Sequence, residues 1–136
     1  MTAGYLFDSH ALLAFFQKEV GAEVVARILS SALERNRDRL ICVINVGEIV
    51  YLTKRRFGDE KKIEVLARIH QLGLSVLPAP DSLVFQAAEI KAEYPISYAG
   101  CFALACALNN SAVLVTGDPD FRAVSHLVQI EWIRRP

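Results

Sequence analysis

Three carboxylates in this chain stand where short apolar runs end. Asp8 directly follows Tyr5-Leu6-Phe7, Asp118 follows residues 112–115 after Thr116-Gly117, and Glu48 lies just beyond residues 40–43. Taken singly, Asp8 reads as a helix N-cap and Asp118 as a turn residue before Pro119. Glu48 resists such a reading. Ile44 and Leu52 lie four residues to either side, which puts its carboxylate on the apolar stripe of a helix. A carboxylate buried alone must be paired or take up a proton, so a buried Glu48 calls for a cation. Lys54 and Arg55 are nearly two turns away and should face elsewhere, which leaves a distant arginine or a metal ion. Carboxylates gathered without a cation repel and raise one another's pKa. Hard oxygen donors suit Mg²⁺ or Mn²⁺, and such an ion activates water for in-line attack on a phosphodiester.

The elements that must gather these residues alternate. Strand patterns fall at residues 5–7, 40–43, 74–77, 112–115 and 128–133. Helical patterns fall at 10–19, from 22 to the polar stretch 34–39, and at 45–56, 60–71, 81–93 and 98–108. Strands apolar throughout, alternating with helices, predict an α/β fold with a mainly parallel sheet covered on both faces. Right-handed crossovers then line up the C-terminal strand ends along one edge, where ligands bind in such folds. With no repeat and no linker, residues 1–136 read as a single domain.

Fifteen basic residues balance fifteen acidic ones, so net charge selects no partner class. The basic residues do cluster, at Arg35, Arg37 and Arg39, at Lys54, Arg55 and Arg56, and at Arg134 and Arg135. Such clusters can follow a phosphate backbone, or simply solvate helix ends. No apolar run is long enough to span a bilayer, and MTAGYLFDSH has no basic segment before an apolar one, so neither a membrane protein nor a signal peptide is expected. Cys42, Cys101 and Cys106 lie in apolar segments with no zinc spacing and read as buried free thiols in a reducing cytoplasm. His10, His70 and His126 share no register and read as surface or half-buried residues, while Trp132 reads as packing for the last strand.

Four segments resemble motifs of the PIN-domain family, especially its VapC-type toxin ribonucleases. Leu6-Phe7-Asp8-Ser9-His10-Ala11-Leu12-Leu13 resembles the opening motif, and Asn45-Val46-Gly47-Glu48-Ile49-Val50-Tyr51 resembles the second. Residues 97–105 stand where the third motif stands, and Leu114-Val115-Thr116-Gly117-Asp118-Pro119-Asp120-Phe121 resembles the last. The resemblance covers essentially the whole chain. It implies a three-layer α/β/α fold with about five strands and a Mg²⁺- or Mn²⁺-dependent endoribonuclease. It also implies a homodimer in the cytoplasm, an RNA substrate and a cognate VapB-type antitoxin. Carried over residue by residue, Asp8, Glu48 and Asp118 are expected to be catalytic and to hold metal. Ser9 and Thr116 are expected as supporting hydroxyls, and Asp120 as an auxiliary acid.

One position departs from the family. Gly100 occupies the place where the third motif carries an Asp. Its loss implies weaker metal binding and crippled turnover. Near a helix start Gly also costs ~0.5–1 kcal/mol relative to Ala. Such a residue reads as a change that disarms the protein, whether introduced or naturally degenerate. The competing function is a catalytically dead PIN domain that binds an antitoxin or RNA. A signalling receiver would need a Lys after the main strands, and none follows Val115. A haloacid dehalogenase would need Asp where His10 stands.

Overall fold

The computed structural model describes residues 4–135; residues 1–3 and 136, the ends of the expected single domain and part of the segment read for a signal peptide, lie outside the described residues. One sheet has the order β3-β2-β1-β4-β5, from β1 (Gly4–Phe7), β2 (Asp38–Cys42), β3 (Ser75–Leu77), β4 (Val113–Thr116) and β5 (Ile130–Trp132). All four pairings are parallel. The helices are α1 (Ser9–Phe16), α2 (Ala22–Glu34), α3 (Val43–Phe57), α4 (Asp59–Gln71), α5 (Asp81–Glu93) and α6 (Tyr98–Asn109).

Side chains alternate across each strand, which divides the interior into two cores. Leu6, Leu40 and Leu114 point to the α5–α6 layer, whereas Phe7, Ile41 and Val115 point to the layer of α1, α2, α3 and α4. The result is three layers, α/β/α, as expected. Helix α6 is buried continuously from Gly100 to Ala107, which explains why its sequence lacks a polar face.

Chain order runs outward from β1 through β2 to β3, then returns to β1's other side at β4 and β5. The strand order therefore reverses between β1 and β4. Helices leave the sheet there on opposite faces, which opens a crevice at the strands' C-terminal ends. Asp8 and Asp118 both follow strands that flank this switch point.

Several boundaries differ from the periodicity. Strand β2 begins at Asp38, inside the polar stretch, because Gly4 and Tyr5 of β1 pair with Asp38 and Arg39. Val43 opens α3 rather than closing a strand. Helix α1 stops at Phe16, and Lys18 then takes a left-handed conformation with φ of 55°. After the turn expected at Thr116-Gly117-Asp118-Pro119, residues Pro119–Val124 form a 3-10 helix that the periodicity does not mark, with Asp118 as its cap.

Leu114, fully buried in the central strand pair, should be among the most sensitive apolar positions. Leu114→Ala is expected to cost ~2–5 kcal/mol in urea unfolding, against under ~0.5 kcal/mol for Leu33→Ala on the solvent side of α2, where Leu33 is 63% exposed.

Candidate functional site

Asp8 is the first residue beyond β1 and has almost no contact with solvent, at 4% exposure. Its amide N–H donates to Val115 O at 3.2 Å, which continues the β1–β4 ladder by one bond. Its side chain caps α1, Oδ1 accepting from the Ala11 N–H at 2.8 Å. Oδ2 accepts from the Thr116 hydroxyl at 2.5 Å, across the β1–β4 pair. The N-cap expected of an isolated Asp is thus realised, but it satisfies only part of this carboxylate. Burial pushes the Asp8 carboxyl up to about 7, outweighing the opposing bonds from Thr116 and Ala11, and the nearby charges of Asp118 and Glu48 push the same way.

A relay of hydrogen bonds extends outward from Asp8. Thr116 Oγ1 accepts from the Asp118 N–H at 3.0 Å, and Asp118 Oδ1 accepts from the Asp120 N–H at 3.0 Å. Fully buried Thr116 fixes Asp8 and the backbone of Asp118 together. Asp120 contributes this backbone bond while its side chain remains exposed, outside the pocket.

The expectation that Glu48 is the buried carboxylate is corrected by the structure. Glu48 is half-buried on α3, and the Ser9 hydroxyl donates to its Oε1. Of the apolar neighbours that suggested burial, Leu52 lines the adjoining pocket, while Ile44 packs against the core under α5 and α6. Asp8, Ser9, Glu48, Gly100 and Asp118 together line one pocket of about 170 Å³. Thr116 lies behind it, bonded to Asp8.

Two further polar residues line the pocket that the sequence did not single out. Asn45, 1% exposed, donates from Nδ2 to Ala99 O at 3.2 Å, whereas its buried Oδ1 has no hydrogen-bond partner. His10, half-buried, has its Nε2 at 2.8 Å from Nη2 of Arg134, and burial followed by that guanidinium holds its pKa below the usual range. Asn45 opens the second motif and could have been suspected as an amide among apolar residues. The His10–Arg134 contact joins opposite ends of the chain and leaves no local signal.

Gly100 is the third residue of α6, whose cap is the Ser97 hydroxyl accepting from the Gly100 N–H at 3.0 Å. An acidic residue at that position would complement the helix dipole. A Cβ there would stand 3.0 Å from Ser97 Oγ and 3.2 Å from Phe121 Cζ, so restoring a side chain needs shifts of a few tenths of an ångström. The sequence shows no turn requirement for glycine here; the structure supplies a local reason, because Ser97 and Phe121 pack closely against it.

Among the described residues, no three His, Cys, Asp or Glu side chains converge as a compact metal cluster. One buried carboxylate, an unpartnered amide oxygen and two half-buried acids surround the pocket instead. That donor set fits a hard cation such as Mg²⁺, which keeps several waters and takes one or two carboxylates directly. A larger groove of about 330 Å³ adjoins the pocket through His10, Leu13 and Leu52, with Arg55 and Arg56 in its far wall.

The family model described as PIN domain matches residues 5–127. No curated protein sequence matches the chain. Among solved structures, VapBC2 from Rickettsia felis bound to a promoter DNA fragment aligns with a TM-score of 0.76 at 17% identity, covering 93% of this chain and 96% of that one. DNA-bound VapBC from Salmonella typhimurium aligns at 0.73 and 18% identity, covering 98% and 100%. The Sarcin-Ricin loop cleaving toxin VapC20 from Mycobacterium tuberculosis aligns at 0.72 and 16% identity, covering 89% and 95%. At these identities the likeness is one of fold.

Burial of Asp8 makes a stability prediction for the metal-free chain. Its folded pKa of about 7 lies above the ordinary 3.8, so the stability it contributes is full below about pH 4 and lost as pH rises towards 7. Asp8→Asn removes the charge. It should raise the midpoint of thermal unfolding near pH 8 without metal by several degrees, roughly 2–4 °C per kcal/mol. The gain should shrink towards pH 4, and equal midpoints at both pH values would refute the assignment.

Proposed function

The chain belongs to the PIN-domain family, and from that premise we propose that it is a VapC-type toxin scaffold for Mg²⁺- or Mn²⁺-dependent RNA hydrolysis, weakened by Gly100. The observation that carries this reading is the nearly solvent-free Asp8 carboxylate, in a pocket shared with Glu48, Asp118 and the unpartnered Asn45 oxygen. A protein that needed none of these groups for chemistry would lower its free energy by replacing Asp8.

Asp8, Glu48 and Asp118 are the residues assigned to hold metal. Ser9 orients Glu48, and Thr116 orients Asp8 and Asp118. Asp120 acts through its amide on Asp118, with its own carboxylate out at the rim. When bound, a divalent ion would offset charge building on the phosphoryl oxygens and activate water. The side chains supply a fixed, partly water-free cradle in which that charge need not reorganise.

RNA is the substrate class this reading assigns. A VapB-type antitoxin is assigned as partner, its segment covering the groove beside His10, Leu13 and Leu52. A homodimer is the assembly this reading assigns. Cytoplasmic residence accords with three free cysteines; among the described residues no helix is long and apolar enough to cross a membrane. The second reading, a PIN domain that binds antitoxin or RNA without cutting, is favoured specifically by Gly100. The expectation of a single domain over residues 1–136 is retained within this proposal.

Cleavage of a mixed RNA pool in Mg²⁺ and Mn²⁺ separates the two readings. Gly100→Asp should cut faster than the unaltered chain by more than about 100-fold, the upper end of what supporting residues of a metal site contribute. Adding Asp8→Ala should abolish the gain. Equal cutting by both Gly100 and Asp forms would show the third carboxylate to be dispensable, and no cutting by either would favour the binding protein.

A further inference from the structure

We infer that Arg134 contacts a phosphate of the RNA beside the bond positioned at the Asp8 pocket, an assignment that rests on the ribonuclease reading above. The C-terminal segment reaches the pocket because Ile133 N–H donates to Thr116 O at 3.0 Å, just past the β4–β5 pair. Arg134 is then pinned at two points. Its Nε donates to Gly117 O at 3.2 Å, and its Nη2 lies 2.8 Å from His10 Nε2. Gly117 immediately precedes Asp118, and His10 follows Asp8 by two residues, so both anchors of the guanidinium adjoin site carboxylates along the chain.

Close approach makes this clamp possible. A Cβ on Gly117 would lie 2.9 Å from Ile133 Cγ1 and 3.0 Å from the His10 ring, so a side chain there would push both away. Arginine only donates, so His10 Nε2 must accept and the ring proton belongs on Nδ1. That Nδ1 is buried with no hydrogen-bond partner. Holding the guanidinium in this way therefore leaves a buried donor unmet, which stability alone would select against. No ion pair of Arg134 is present among the described residues. Arg134 is exposed and keeps N–H donors beyond the two bonds described. A preorganised planar fork with its charge unneutralised matches a phosphate, and a polyanion approaching an acidic pocket needs such a cation at the rim. His10 is the positioning residue for it.

Binding of a fluorescein-labelled single-stranded RNA, followed by anisotropy across a salt series in Ca²⁺ and again in EDTA, tests this with the full chain. Arg134→Ala should weaken binding roughly 5–10-fold near 0.1 M salt and shrink the log–log salt slope by about 0.7, one single-strand phosphate contact. Arg134→Gln, which can still donate to Gly117 O, should lose the same slope while keeping the unfolding midpoint. Arg27→Ala on α2 removes an equal charge remotely and should change neither quantity. Unchanged affinity and slope in both Arg134 variants, even with a lowered midpoint, would make Arg134 a structural latch and overturn the inference. An equal loss in Arg27→Ala would overturn it as well. If the unaltered chain binds no RNA in either condition, the ribonuclease reading itself falls and takes this assignment with it.

Discussion

The local structure around the sheet's switch point is organised by one costly group, the carboxylate of Asp8. Each of its ordinary stabilisers is present: a helix N-terminus in front, a backbone N–H from Ala11 and a hydroxyl from Thr116. Burial still prevails, and the carboxyl is held near neutrality in its proton affinity. Folding alone gives no reason to withdraw a carboxylate so completely from water without a cation. The parallel register enforces the withdrawal. Phe7 pairs with Val115, so Asp8 and Thr116 follow side by side, and the helices covering both faces close over them. A carboxylate so placed either keeps its proton or calls for a positive charge, and the features around it can be understood against that requirement.

The fold was legible because its signal is redundant. Apolar runs bounded by Asp8, by Pro78 and by the Thr116-Gly117-Asp118-Pro119 turn each marked a strand, and amphipathic stretches between them marked the crossovers. Parallel pairing then placed the strand ends together without any knowledge of individual contacts. Burial of particular carboxylates was harder to foresee. Periodicity reports which residues share a helix face, and Glu48 does share one with Ile44 and Leu52. It cannot report that part of that face borders an open cleft, so burial was assigned to Glu48 when it belongs to Asp8.

Contacts set by tertiary approach were illegible for a different reason. His10 had no partner in register, and its partner Arg134 comes from the opposite end of the chain through the β4–β5 pairing. Asn45 was visible as part of a motif, but its unpaired oxygen is a property of the pocket rather than of α3. Asp120 illustrates the converse. The family resemblance implied an auxiliary acid near the rim, and in the structure its side chain is exposed while its amide joins the relay.

Gly100 shifts the electrostatic balance of this arrangement rather than merely deleting a ligand. A fourth carboxylate beside Asp8, Glu48 and Asp118 would add repulsion that only bound metal relieves, and would tie the pocket's charge state closely to metal occupancy. With glycine there, Ser97 and Phe121 close in and the residual negative charge is smaller. Arg134, meanwhile, keeps its place at Gly117 and His10, neither of which depends on residue 100. If an acid at residue 100 belongs to the hydrolytic site, as the family resemblance implies, glycine there would weaken that part of the site more than the part proposed to hold a phosphate.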